Sequence, residues 1–135
     1  MKLDKTIELI RKLHSLTKAG KIGWEKTPNG GSFQTVLAGY IIRAVEEEEE
    51  SVPNEFNYIL SLRNNRGDLV ERIRDFQVQQ EVNALTDQER AAKSLPGFSA
   101  FKLMKEIYEM ARSSAMGSDK AIEDITKALD DLPPF

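Results

Sequence analysis

Cysteine is absent from this chain of 135 residues. That excludes disulfides, thiolate metal sites and thiol nucleophiles, and it fits a reducing compartment, so the expected location is cytoplasmic. Histidine is almost absent: His14 stands alone, and one imidazole cannot build a multi-histidine metal site. No apolar run approaches the roughly eighteen residues of a membrane span. The first residues, Met1-Lys2-Leu3-Asp4-Lys5, carry charge at once, and the apolar residues that follow are spaced, so no signal peptide is expected. Charge of one sign is also scarce. A net charge of −3 is too small for a sustained field, and the resulting acidity argues against a general polyanion binder. Glycine-rich phosphate loops are missing too. Gly20-Lys21-Ile22-Gly23 lacks the P-loop spacing, and Gly30-Gly31 joins two extended segments rather than opening a helix.

What is present is enough for one domain spanning 1–135, with 40% hydrophobic and 30% charged residues. Leu3, Ile7, Leu9, Ile10, Leu13 and Leu16 fall within about half the circumference of a helix over Leu3–Ala19, and Gly20 is its natural stop. The period then shortens. Lys21–Thr27 alternates, and Pro28-Asn29-Gly30-Gly31 is a turn. Ser32–Val45 reads as one long strand. Phe33, Thr35, Leu37 and Ile41 project one way, and Val36, Ala38, Tyr40, Ile42 and Ala44 the other, with Gly39 as a bulge. Both faces are apolar, which predicts a central strand covered on both sides. Glu46–Glu50 reads as an exposed hairpin end. Phe56–Asn64 and about Asp68–Val78 complete the strands, and the charges of the last suggest an edge.

From Gln79 to Leu95 the pattern is weak, apart from a capping box, Thr86 with Glu89, before a short helix over Asp87–Ser94. A longer helix is expected over Ser99–Ala115, ended by Gly117. Ser118 opens a last helix, with Ile122, Ile125 and Leu129 on one face and Pro133-Pro134 as its stop. The predicted fold is therefore α+β: an N-terminal helix, a four-stranded antiparallel meander, then two to three C-terminal helices packed on the sheet.

Chemistry-bearing constellations are sparse, and no catalytic, cofactor or metal residue is assigned. Consecutive glutamates in a strand project to opposite sides, unlike the converging oxygens of a calcium loop. The candidate interface or ligand residues are Trp24, Tyr40, Tyr58, Arg63, Arg72 and Arg74. The first expectation is a non-enzymatic interaction or regulatory module that binds another protein or a second copy of itself. The layout resembles that of small bacterial proteins without assigned function, without a diagnostic motif, and no family or residue role is carried over. The alternative is a small-ligand pocket between sheet and helices, walled by Trp24, Tyr40, Tyr58 and Arg63. The third is weak nucleic-acid binding through Arg63, Arg72 and Arg74, with Tyr58 and Phe76 as stacking partners. The chain's acidity weighs against it.

Overall fold

The computed structural model describes residues 2–133. Its elements, in order, are α1 (Leu3–Lys18), β1 (Glu25–Lys26), β2 (Ser32–Leu37), β3 (Tyr40–Glu48), β4 (Phe56–Arg63), β5 (Leu69–Arg74), α2 (Asp75–Asn83), α3 (Asp87–Ala92), α4 (Ala100–Met116) and α5 (Ser118–Asp130). The α+β class stands. The antiparallel meander has five strands rather than four, in the order β1-β2-β3-β4-β5, and four helices follow it.

The extra strand comes from the segment read as one long strand. Ser32–Val45 is not a single central strand but a hairpin, folded back at Ala38-Gly39. Both turn residues have positive φ, 53° and 79°, as a type I′ turn requires, and Leu37 lies opposite Tyr40. This resolves the apparent two-faced pattern. Thr35 pairs with Ile42 and Phe33 with Ala44, so these four share one face and are buried. An unbroken strand would send odd and even residues to opposite faces.

Two other expectations change. Only Glu25 and Lys26 of the segment Lys21–Thr27 are strand. The last strand stops at Arg74, and the weakly patterned stretch after it holds α2, whose Val78 and Val82 are buried one turn apart. Phe76, expected on the strand, belongs to this helix. The run Glu46–Glu50 is mostly strand rather than hairpin end. Glu46, Glu47 and Glu48 pair across to Tyr58, Asn57 and Phe56.

The capping box is present: Thr86 Oγ1 accepts from the Glu89 N–H at 3.1 Å, and Glu89 Oε1 accepts from the Thr86 N–H at 3.0 Å. Arg90 then donates to the carbonyls of Val82, Asn83 and Leu85, satisfying acceptors left over at the end of α2. Ser99 caps α4 by accepting from the Lys102 N–H, and Gly117 ends it in the left-handed conformation at φ 68°, which costs glycine little.

The core is one cluster on one side of the sheet. Phe33, Ile42, Ala44, Tyr58, Leu60 and Ile73 from the strands meet Ile7, Ile10 and Leu13 of α1, Val78 and Val82 of α2, and Met104, Ile107, Tyr108 and Ala111 of α4. α4 crosses β1 to β4, while α1 lies against α4 and α2. Ile59 is also buried, but it stands outside this cluster. Its side chain is on the other face of the sheet.

Candidate interaction surfaces

The helices cover one face of the sheet, and the register shows what the other presents. One row runs Glu25–Gln34–Arg43–Ser61–Arg72 across all five strands. The next runs Ser32–Val45–Ile59–Arg74, and a third places Val36 beside Ile41 and Arg63. Ile59 and Ser61 are buried on this face, the first between Val45 and Arg74 in the register and the second between Arg43 and Arg72. Arginine stems cover apolar surface while their guanidinium groups stay wet. Arg43 Nε donates to Gln34 Oε1 at 3.0 Å. Arg74 lies 3.7 Å from Glu47. Arg63 donates through one terminal nitrogen to the Gly67 carbonyl at 2.9 Å, while its Nε is buried without a partner. The outcome is two small apolar patches, Val36 with Ile41 and Val45 with Ile59, separated by the Gln34–Arg43–Ser61 row, with four arginines among them and Glu25 and Glu47 towards the margins.

A second uncovered surface lies on α5. The helix begins directly after Gly117 and meets the rest of the fold through α4. None of its residues is buried. Ile122 is 63% exposed, and Ile125 and Leu129 61% each. At about 100° per residue these three fall on one stripe, which Leu132 extends beyond the helix end. Ala121 and Ala128 border the stripe with little bulk. Asp119 and Asp130 flank the other side, while Asp124, ion-paired with Lys120 at 2.9 Å, and Lys127 lie on the far face.

Two polar clefts flank α4. One, of about 520 Å³, is lined by Glu46, Tyr108, Glu109 and Arg112 among others. Beside it the Tyr58 hydroxyl donates to Glu46 Oε2 at 2.8 Å. Burial, reinforced by that bond and the Glu46 charge, pushes the Tyr58 phenol above its ordinary value. Burial and the same charge raise Tyr108. Both therefore stay protonated donors. The second cleft, of about 380 Å³, holds Arg11, His14, Ser99, Lys102 and Glu106. Here His14 Nε2 lies 3.5 Å from Glu106 Oε1.

The residues singled out from sequence scatter. Trp24 is 4% exposed, and its indole N–H donates to Thr17 Oγ1 at 3.3 Å: it fills the core with its polar atom satisfied. Tyr58 is equally buried and sits edge-on to Phe101, with ring centroids 5.6 Å apart. Tyr40 is 48% exposed beside the hairpin turn. Arg63, Arg72 and Arg74 do share the open face. Trp24, Tyr40, Tyr58 and Arg63 thus do not converge on one pocket. The stacking partners are elsewhere too, because Tyr58 faces the helices and Phe76 is on α2. Arg43 was not singled out, although its signal was available: once Ala38-Gly39 is read as a turn, alternation puts Arg43 on the face of Arg63 and Arg72.

Among the described residues no helix is long and apolar enough to cross a membrane. Compared with protein-family models, curated proteins and solved structures, the chain matches none.

Proposed function

We propose that the protein is a non-enzymatic interaction module, cytoplasmic, that works by offering uncovered surfaces to a protein partner. The observation that carries this reading is α5, a 13-residue amphipathic helix with no buried residue. Isolated helices of about this length are marginal in water. An apolar stripe with nothing against it is the pattern of a surface that functions when covered. The arginine-bearing sheet face adds a second docking surface, suited to an acidic partner.

The test uses the full chain and an Ile122→Ser/Ile125→Ser/Leu129→Ser variant as paired baits, followed by binding of each purified prey, including the chain itself. A prey held by the wild type and lost by the variant supports the reading. Equal recovery on both baits sinks it. A second reading, a polar small molecule in the cleft of Glu46, Tyr108, Glu109 and Arg112, is favoured by two protonated phenols beside two carboxylates and a guanidinium. It expects line broadening or shifts at Tyr108 when small carboxylates or phosphates are titrated by NMR, and it fails if Arg112→Ala leaves them unchanged.

A further inference from the structure

We propose that the occupant of the open sheet face is α5 of a second copy of this chain, in a reciprocal two-fold dimer. The proposal rests on the interaction-module reading and names its partner. Three observations on the two surfaces support it.

The first is charge. The open face carries Arg43, Arg63, Arg72 and Arg74 against Glu25 and Glu47, the latter 3.7 Å from Arg74, and Arg72 and Arg74 lie on the edge strand β5. Over Ser118–Asp130, α5 has four acidic residues, Asp119, Glu123, Asp124 and Asp130, against two lysines, and Asp131 follows. Lys127 points away from the apolar stripe, as do Asp124 and its ion-pair partner Lys120 at 2.9 Å, while Asp119 and Asp130 flank the stripe on one side. Laid stripe-down over Val36, Ile41 and Val45, with Arg43 between the last two, the helix brings the carboxylates of Asp119 and Asp130 towards the arginines. Two α5 helices packed on each other would instead gather like charges, an arrangement that complementary interfaces avoid.

The second is size. A helix of 13 residues is roughly 20 Å long. Strands β3 and β4, of 9 and 8 residues, extend roughly 26–30 Å, so the helix fits within the sheet. Ala121 and Ala128 leave room for its backbone to approach. One such contact is small. Reciprocal exchange doubles it, towards the roughly 1,600 Å² of a standard interface, and closes the assembly where a one-way contact would propagate into filaments.

The third is connectivity. α5 follows α4 through Gly117 alone, and α4 lies on the covered face. No linker is available to carry α5 around the sheet edge, so its own open face is out of reach while a second copy's is not.

Sedimentation velocity on the full chain tests this with two variants, Arg72→Glu/Arg74→Glu on the sheet and Ile125→Ser/Leu129→Ser on the helix. All altered residues are on the uncovered surfaces, and far-UV circular dichroism with thermal melting verifies the fold. Wild type is expected to dimerise with a low-micromolar Kd. Each variant alone is expected to weaken that at least about tenfold. Mixed one to one, the variants keep one intact contact of the two, the helix of the sheet variant on the sheet of the helix variant, so the mixture should associate more tightly than either variant alone and more weakly than wild type.

A wild-type chain that stays monomeric at roughly 200 µM, where a micromolar dimer is saturated, overturns the proposal while leaving a heterologous partner for α5 open. A dimer indifferent to the arginine reversal, or a mixture that associates no more tightly than either variant alone, also overturns it and points to helix-on-helix pairing.

Discussion

α4 and α5 are consecutive, separated by one glycine, and both are amphipathic, yet they end in opposite circumstances. α4 buries Ala100, Met104, Ile107, Tyr108 and Ala111. α5 buries nothing. The sheet repeats the contrast within one strand: Leu60 sits in the core, while the adjacent Ser61 lies among arginines. Periodicity therefore states that a helix or strand needs a cover. Whether the cover comes from the same chain is decided by three-dimensional connectivity, which the pattern does not contain.

The largest expected effect breaks the comparison directly. Met104→Ala or Ile107→Ala in α4 should cost about 2–5 kcal/mol, the range for emptying a packed site. Ile125→Ala in α5 should change the monomer's stability by less than about 0.5 kcal/mol. Urea unfolding at low protein concentration measures both; equal losses would mean that α5 is packed within the monomer.

Tyr58→Phe comes next. It removes the hydroxyl from Glu46 while keeping the ring against Phe101 and Tyr108, and should cost about 1 kcal/mol. Ala38→Asn has the opposite sign. It suits the positive φ of 53° better than alanine does and should stabilise the hairpin by up to about 1 kcal/mol. A loss on this substitution would contradict the turn geometry.

Asp75 gives a pH signature on the covered side. Its carboxyl is buried at the start of α2 and accepts from the Tyr58 N–H at 3.4 Å. Burial chiefly, aided by the Glu49 charge, holds it above its ordinary value of 3.8 despite the backbone donors. The fold therefore favours the neutral acid. The stability this supplies is fully present below pH 3.8 and is lost as pH rises through the raised folded value. Asp75→Asn should flatten that segment of the thermal stability profile, measured by melting across the acid range. A profile with the wild-type slope would assign the slope to another group.

Much of the fold was legible because local chemistry enforces it. Thr86 with Glu89, Ser99 before α4 and Gly117 after it mark helix ends through groups that must be hydrogen-bonded whatever the tertiary structure. The hairpin was missed because its turn uses alanine, a residue that rarely takes positive φ, so Gly39 alone resembled a bulge. That one misreading reversed the facing of Ile42 and Ala44 and produced the appearance of a doubly covered strand. α2 was hidden because Val78 and Val82 are its only buried apolar residues, too few to set a helical period against the strand-like Ile73. Among candidate residues, Arg63, Arg72 and Arg74 were grouped correctly by alternation. Trp24 and Tyr58 were not, because an aromatic with a polar atom suits a core and an interface equally well until its partner is known. Here the partners are Thr17 and Glu46.

Gly117 carries one more consequence, which concerns how the sequence is free to change. Upstream of it, substitutions at positions such as Met104 or Leu60 are judged by folding itself. Downstream, Ile122, Ile125 and Leu129 are 61–63% exposed, so folding of the monomer penalises their loss little, and on the docking proposal the penalty falls on binding. A single left-handed residue thus separates two regimes of sequence drift. If the docking proposal holds, variation after residue 117 keeps the stripe apolar, whereas variation before it answers to the core.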